Sequence, residues 1–176
     1  IVATGMKKVS LRVKEQLKRR AVSHHLSLAF AVIKHDRSEW IVQKAVELGV
    51  AHMIPFYSDR TIPKYANAER KIERWRHIAL EAAKESGLPF LPEITAPVHF
   101  PDLLKKLTEY ESTLLFWEGE TESDLRSVVS GLRSQVLLII GPEGGFSAEE
   151  VERARTAGAL TASLGEQILR VETAAI

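Results

Sequence analysis

The chain comprises 176 residues with a formal net charge of +1; 45% of its residues are apolar and 27% are charged. This balance supports a domain with a sizeable buried core and excludes a disordered or low-complexity chain. The absence of cysteine excludes a disulfide framework and fits a reducing cytoplasm, and no stretch approaches the ~20 apolar residues of a membrane-spanning helix.

Positive charge is concentrated in the first 20 residues, which we call the basic arm. Seven of the 24 lysines and arginines lie there, against the single acidic residue Glu15. Val9, Leu11 and Val13 alternate with polar or basic residues, so the arm is predicted to contain a β-strand with one basic face. Such a face is typical of contact with nucleic-acid phosphates, although a solvated surface strand would carry the same charges.

After the basic arm, predicted strands and helices alternate along the chain. The apolar segments that predict strands are 26–33, 51–56, 92–94, 112–117, 136–140 and 160–164. The amphipathic or capped segments that predict helices are 37–48, 68–86, 101–110, 122–133 and 147–157. Repeated alternation of this kind indicates an α/β domain whose parallel sheet is covered by helices on both faces.

Local signals mark where three of these helices begin and where two of them end. The N-terminal signals are a capping-box spacing at Asp36 and Glu39, a second one at Ser147 and Glu150, and a lone capping residue at Asn67. The C-terminal signals are Gly49 and Gly87.

The segment 139–147, IIGPEGGFS, is the first candidate for a functional site. Its glycines follow a strand predicted to be buried on both faces, so backbone N–H groups there can approach a ligand without an intervening Cβ. The spacing matches neither a dinucleotide-binding motif nor a P-loop. Because the carboxylate of Glu143 would repel an anion, a ligand with positive charge is favoured over a phosphate.

A second motif, LGEQILRVETA at 164–174, follows some way downstream. GPEGGFS followed by LGxxILRxETA resembles the RsmE family of SPOUT-class methyltransferases. The resemblance extends upstream in the same order to KAVELGV at 44–50, to Pro55 and Arg60, and to residues 74–83, so that it covers the chain from about residue 28 to residue 175.

This resemblance implies transfer of a methyl group from S-adenosylmethionine to N3 of a uridine in 16S ribosomal RNA, either naked or in the assembled small subunit. It implies a cytoplasmic homodimer and a SPOUT domain over residues 25–176 with a C-terminal trefoil knot. It also implies that residues 1–24 are the last part of an N-terminal PUA-like β-barrel. Because the sequence starts at Ile1 and stops within an apolar helical pattern, we expect the whole protein to extend beyond both ends.

Binding residues are also implied by the resemblance, which places the cofactor in three loops. The expected cofactor-binding residues are Phe116, Trp117, Glu118, Ile140, Gly141, Pro142, Glu143, Gly144, Gly145, Leu164, Gly165, Ile168, Leu169, Thr173 and Ala174. The expected RNA-binding residues are Arg12, Lys14, Arg19, Arg20, Lys44 and Arg60. The six histidines have no metal-ligand spacing, so no metal site is predicted.

Three residues are candidates for catalysis. Arg170 is predicted to stabilise the negative charge that develops on the uridine, because a guanidinium stays charged and can bind a carbonyl oxygen with two donors. Glu172 and Glu143 are candidates for accepting the N3 proton or for orienting Arg170. Helix capping or a structural ion pair would explain these two carboxylates equally well.

Departures from the family pattern leave a second function open. Glu85, Leu88 and Gln167 stand where the family usually has Gln, Arg and Arg. Two missing cations beside a polyanion weaken the argument for RNA binding. The alternative to an enzyme is therefore a non-catalytic RNA-binding or ribosome-associated dimer that retains the methyltransferase fold.

Overall fold

A sheet of seven parallel strands forms the centre of the protein, for which a computed structural model describes residues 3–5, 8–10, 12–15, 25–34, 36–62 and 68–176. The strands are β3 (His25–Ala31), β4 (His52–Tyr57), β5 (Glu93–Ile94), β6 (Val98–His99), β7 (Ser112–Phe116), β8 (Gln135–Ile140) and β9 (Leu160–Ala162). They lie in the order β5, β4, β3, β8, β7, β9, and β6 also pairs with β4. The predicted parallel α/β sheet is thereby confirmed, with β6 as a strand that was not predicted.

The basic arm contains a separate two-stranded antiparallel pair. Its strands are β1 (Ala3–Gly5) and β2 (Lys8–Ser10). The predicted basic strand is shorter than expected, because residues 12–15 adopt no regular secondary structure and Leu11 lies outside the described residues.

Helices cover both faces of the seven-stranded sheet. They are α1 (Arg37–Glu47), α2 (Ala68–Glu85), α3 (Phe100–Leu104), α4 (Leu125–Val129), α5 (Ala148–Thr156) and α6 (Val171–Ala174). On one face, α1, α2 and α6 bury Ile41, Trp75 and Val171. On the other, α3 and α5 bury Leu103 and Val151. No helix in these described ranges is long and apolar enough to cross a membrane.

The alternation of side chains along each strand explains the continuous apolar runs in the sequence. In β3, Leu28 and Phe30 belong to the first core, whereas Ala29 and Ala31 belong to the second. Successive side chains of a strand point to opposite faces, so a strand covered on both sides has no polar positions in its middle.

Two predicted helices are shorter than their sequence patterns suggested. In place of a helix over 101–110, α3 stops at Leu104 and a 3₁₀ turn follows at Leu107–Glu109. In place of a helix over 122–133, α4 begins only after Asp124, whose carboxylate accepts a hydrogen bond from the N–H of Ser127 at 2.8 Å. The helix does not begin earlier because Asp124 is extended, with φ −89° and ψ 164°, and forms a β-bridge with Ser163.

The capping box predicted at Asp36 and Glu39 is wrong. Asp36 occupies the N-cap position of α1, but its side chain makes no capping hydrogen bond. The carboxylate of Glu39 instead accepts two hydrogen bonds from Arg74 of α2, at 2.5 and 2.7 Å. This paired contact lowers the pKa of Glu39 and ties α1 to α2. Asn67, the predicted cap of α2, lies outside the described residues.

Replacing Glu39 tests how much this contact stabilises the packing of α1 on α2. Glu39→Gln keeps the size of the side chain but loses the charged pair, so the free energy of unfolding at neutral pH should fall by about 1–3 kcal/mol. The matched control is Glu47→Gln, which removes an exposed carboxylate of the same helix and should change the free energy by less than about 0.5 kcal/mol. Urea unfolding of both variants measures the difference, and equal effects would contradict a structural role for Glu39.

Candidate functional site

Three loops meet at the carboxyl edge of the sheet and enclose a cleft of about 500 Å³. They follow β7, β8 and β9, three strands whose last residues lie at the same level. Phe116 is aligned with Ile140 on one side and with Ala162 on the other. Clefts at the carboxyl ends of parallel strands are where open α/β sheets usually bind ligands.

The glycine-rich loop after β8 is a tight turn. The N–H of Gly145 donates to the carbonyl of Pro142 at 2.9 Å, and Gly145 has φ +67°, a left-handed conformation that favours glycine. At Gly141, a Cβ would lie 2.8 Å from the ring of Phe146. That ring is buried and stacks against Phe56 at a centroid distance of 6.2 Å, which anchors the end of the turn in the core.

The turn is also held from the side by the loop after β4. Arg60 donates to the carbonyl of Gly144 at 2.8 Å. The predicted capping box is present at the start of α5, where Glu150 and Ser147 exchange hydrogen bonds of 2.9 and 3.1 Å. The second carboxylate oxygen of Glu150 accepts from the N–H of Asp59 at 3.0 Å. Glu150 is 1% exposed, so its buried charge is satisfied by backbone donors from two loops.

The loop after β7 is braced by a buried carboxylate. Glu120 accepts hydrogen bonds from Thr161 at 2.5 Å and from Arg155 at 2.9 Å. The bond from Thr161 is the main cause that lowers the pKa of Glu120 to about 2. Arg155 also lies over the indole of Trp117, 5.8 Å from the ring centroid, and a Cβ on Gly119 would be 2.5 Å from that indole. The indole of Trp117 therefore packs against the guanidinium of Arg155 and against the backbone of Gly119.

The third loop, residues 163–170, runs from β9 to α6 across the carboxyl edge of the sheet. Its start is hydrogen-bonded to the loop after β7. The N–H of Ser163 donates to the carbonyl of Ser123 at 2.8 Å, and the carbonyl of Ser163 accepts from the N–H of Leu125 at 3.1 Å. Its end is fixed by α6, which packs against α1. The loop therefore joins two secondary structures that lie on different sides of the cleft.

Charged side chains of both signs surround the cleft. Its lining includes the carboxylates of Glu118, Glu143 and Glu166 and the guanidinium groups of Arg37 and Arg170. Three carboxylates against two guanidinium groups leave the wall with a negative balance, which favours a ligand with positive charge.

Arg37 stands between two carboxylates at the start of α1. Its Nη1 atom lies 3.6 Å from Oε1 of Glu143 and 3.8 Å from Oε2 of Glu172. Arg37 also lines a second, shallower pocket, together with Asp36, Trp40 and Glu172. Oε2 of Glu172 is buried and has no hydrogen-bond partner among the residues that the structure describes.

Most of the predicted site residues are brought together. Every expected cofactor-binding residue lines the cleft except Thr173, which is exposed on α6. Arg170 and Glu143 line the cleft, and Glu172 lines the shallower pocket. The lining residues that were not predicted are Arg37, Phe146, Ser163, Glu166, Gln167 and Val171. Five of these belong to or adjoin the two motifs, whereas Arg37 carries no signal in the sequence beyond its place after a buried strand.

The predicted RNA-binding residues are scattered by comparison. Arg12 and Lys14 are exposed, and Arg19 and Arg20 lie outside the described residues. Lys44 pairs with Glu47 at 2.8 Å, and the Arg60 guanidinium is committed to the glycine-rich turn. In the described part of the chain, no group of three or more His, Asp and Glu side chains is placed to hold a metal ion.

Glu120→Gln tests the brace behind Trp117. At neutral pH the variant should lose about 1–3 kcal/mol of unfolding free energy, because a buried charged hydrogen-bond network is broken. The Glu120 carboxyl has a pKa of about 2 in the fold against an ordinary value of 4.5. Its stabilising contribution is therefore complete above pH 4.5 and shrinks as the pH falls towards 2.

Denaturant unfolding at several pH values checks this prediction. The stabilities of wild type and Glu120→Gln should converge in acid, with Glu122→Gln as the control that removes an exposed neighbouring carboxylate. A difference that stays constant with pH would show that the carboxylate charge is not what braces the loop.

Comparison with known proteins assigns this arrangement to a family. Residues 20–176 match the family described as RNA methyltransferase domain. The chain is 36% identical over 150 residues to ribosomal RNA small subunit methyltransferase E of Mesomycoplasma hyopneumoniae, covering 85% of this chain and 65% of the relative. The protein of the same name from Rickettsia conorii is 34% identical over 177 residues, covering 98% of this chain and 69% of the relative.

A solved structure agrees with this assignment. Ribosomal RNA small subunit methyltransferase E from Neisseria gonorrhoeae, bound to S-adenosyl methionine, matches with a TM-score of 0.79 at 28% identity, over 86% of this chain and 62% of that one. This chain spans 65% of the Mesomycoplasma relative and so less than two thirds of its length. By its family match, its identity to these relatives and its parallel α/β sheet, the chain belongs to the RsmE family of RNA methyltransferases, which have the SPOUT-type fold.

Proposed function

We propose that this protein transfers a methyl group from S-adenosylmethionine to N3 of a uridine in 16S ribosomal RNA. The observation that carries the proposal is the meeting of the GPEGGFS loop, the LGxxILRxETA loop and the loop after β7 around one cleft of about 500 Å³. The names of the Mesomycoplasma and Rickettsia relatives support the ribosomal RNA substrate. The S-adenosyl methionine bound in the Neisseria structure supports the cofactor.

The residues of the cleft fit this cofactor in size and charge. Its volume falls within the range of about 300–1,000 Å³ that is usual for small-molecule sites. The carboxylates of Glu118, Glu143 and Glu166 complement the positive charges of a sulfonium and an amino group. The bare backbone of Gly144 and Gly145 can approach the ligand closely, and the apolar side chains that would pack against the adenosine are Phe116, Trp117, Ile140, Leu164, Ile168 and Leu169.

Methyl transfer requires the protein to position the two reactants and to stabilise the charge that develops on the base. When bound, S-adenosylmethionine supplies an electrophilic methyl group, whose bond to sulfur breaks with the electron pair remaining on sulfur as N3 takes the methyl. The cleft loops hold the donor so that the base can approach it in line. Glu172 or Glu143 accepts the proton that N3 loses. Arg170 lies on the cleft wall, where its guanidinium stabilises the negative charge that develops on the uracil oxygens.

We propose further that the C-terminal part of the chain forms the trefoil knot of the SPOUT class. α5 packs on one face of the sheet, whereas Val171 of α6 is buried on the other, so residues 163–170 must cross the carboxyl edge between them. This crossing and the hydrogen bonds from Ser163 to the loop after β7 support the knot.

The domain boundary and the assembly are part of the same proposal. We place the end of the PUA-like remnant at residue 24 and the SPOUT domain at 25–176; the separate pairing of β1 with β2 supports this division. Arg12, Lys14, Arg19, Arg20, Lys44 and Arg60 would face the RNA. A cytoplasmic homodimer would bring a second copy to the cleft, and Ile168, 88% exposed at its rim, supports such a contact.

A thermal-shift experiment tests the cofactor assignment. S-adenosylmethionine should raise the melting temperature of the wild type. Gly145→Ala should reduce this increase, because a Cβ there would meet the Glu118 carboxylate and displace it within the cleft. Gly158→Ala is the control: Gly158 has φ +99°, and a Cβ there would meet nothing within 4 Å. It should melt at a lower temperature than the wild type but keep the full cofactor response.

Mass spectrometry of ribosomal RNA nucleosides tests the reaction itself. Small subunits incubated with the wild type and S-adenosylmethionine should gain 3-methyluridine. Arg170→Ala should bind the cofactor nearly as well but transfer methyl roughly a hundredfold more slowly. Arg170→Lys should recover little, since an ammonium lacks the planar pair of donors. If the wild type binds RNA and cofactor but forms no 3-methyluridine, the protein is a non-catalytic RNA-binding member of its family.

A further inference from the structure

A shallower pocket adjoins the cleft. It has a volume of about 460 Å³ and is lined by Asp36, Arg37, Trp40 and Glu172. Arg37 belongs to the walls of both this pocket and the cleft. Transfer between two separately bound molecules requires the acceptor atom to lie in line with the donor at close range, so an acceptor site must adjoin the donor site.

Trp40 gives this pocket an aromatic wall. It lies one helical turn after Arg37 on α1, so both side chains project from the same face of the helix. Trp40 is 42% exposed, whereas Trp75, on α2, is completely buried in the core. Bases of single-stranded RNA stack on exposed aromatic rings of this kind.

The Arg37 guanidinium makes no hydrogen bond to the part of the chain that the structure describes. Its contacts with Glu143 and Glu172, at 3.6 and 3.8 Å, are ion pairs longer than hydrogen bonds. The two carboxylates therefore hold the guanidinium at the junction of the pockets without occupying its N–H groups. A planar guanidinium with free donors can bind a carbonyl oxygen and stabilise negative charge on it.

Glu172 supplies an acceptor next to that donor. Its side chain is 16% exposed, and its buried Oε2 has no hydrogen-bond partner among the described residues. A buried polar atom without a hydrogen bond is costly, and a catalytic role is one of the explanations for it. A small movement of the carboxylate would offer this oxygen to an N–H group in the pocket.

The combination selects a uracil base. The edge of uracil presents an N3–H donor between two carbonyl oxygens, which matches a carboxylate beside a guanidinium. Cytosine has no proton on N3 and carries an amino group in place of one carbonyl. The pocket has two carboxylates, Asp36 and Glu172, against one guanidinium, so it disfavours a phosphate and favours a neutral base.

We propose that Arg37, Trp40 and Glu172 form the subsite that receives the target uracil, an inference that rests on the proposed methyl transfer. Trp40 stacks on the base and Arg37 binds a carbonyl oxygen. Glu172 takes the N3 proton as N3 gains the methyl group. The negative charge that develops on the base is lost when the new N–C bond forms, and the carboxylate becomes neutral when it takes the proton.

Kinetics with isolated small subunits test the subsite. Trp40→Ala should lower kcat/KM about tenfold or more through a higher KM, and Trp40→Phe should recover most of it because it still stacks. Arg37→Gln should lower kcat roughly a hundredfold, with little recovery in Arg37→Lys. Cofactor affinity, measured by calorimetry, should stay within about twofold in the Trp40 variants, which leave the cleft wall unchanged. Leu48→Ala removes an apolar side chain that is 59% exposed at the C-cap of α1, outside the pocket, and should match the wild type.

A binding measurement separates failure of the subsite from failure of the proposed function. A short uridine-containing oligoribonucleotide should quench tryptophan fluorescence of the wild type but not of Trp40→Phe, and the cytidine analogue should need a markedly higher concentration to quench the wild type. This result without any 3-methyluridine would leave the subsite standing and reject the enzyme.

Two results would overturn the subsite. The first has two parts and applies if the wild type is active. The Trp40→Ala and Arg37→Gln variants methylate as fast as the wild type, and uridine and cytidine quench the wild-type fluorescence equally. The second is a Trp40→Ala variant that changes only by dissociating to half the mass in ultracentrifugation, since Trp40 would then be covered by a second copy rather than by the base.

Discussion

The alignment of Phe116, Ile140 and Ala162 at one level of the sheet is the constraint on which the rest of the site depends. Parallel strands all end at the same edge of a sheet, so the three loops that follow β7, β8 and β9 must meet there. A shift of register in any of these strands would move a whole loop relative to the other two. The glycine-rich turn and the LGxxILRxETA loop therefore acquire a common function only through the pairing of β7 with both of its neighbours.

Buried carboxylates keep these loops in place, and each satisfies backbone donors that would otherwise prevent a tight loop. Glu120 binds two N–H groups of its own loop as well as Thr161 and Arg155 from neighbouring elements. Glu150 does the same for the turn after β8 and for the loop after β4. A buried charge is tolerated only when it is paired and hydrogen-bonded, so these residues cross-link the loops into a rigid frame.

Arg37 and Glu172 contrast with that frame. They lie at the same edge of the sheet, yet their contact is longer than a hydrogen bond, and Oε2 of Glu172 lacks a hydrogen-bond partner among the described residues. Such incomplete pairing costs stability and is expected where the missing partner is a bound molecule. The carboxyl edge of the sheet therefore has two parts. Glu120 and Glu150 hold the loops in place, whereas Arg37 and Glu172 are available for chemistry.

The sequence by itself determined the features that depend on neighbouring residues. The apolar runs around residues 28 and 138 identified the central strands, and Ser147 with Glu150 marked the start of α5, because strand burial and helix capping act over a few residues. The two motifs also identified most of the residues that line the cleft.

Only the tertiary structure decided features that depend on partners far along the chain. Asp36 and Glu39 have the spacing of a capping box, but the guanidinium of Arg74 binds Glu39 more strongly than a backbone N–H does. The helix expected from residue 122 begins only after Asp124, because Asp124 is held extended by its β-bridge with Ser163, a residue far along the chain. Arg37 carried no local signal, since its position between Glu143 and Glu172 exists only once α1, the turn after β8 and α6 have packed together.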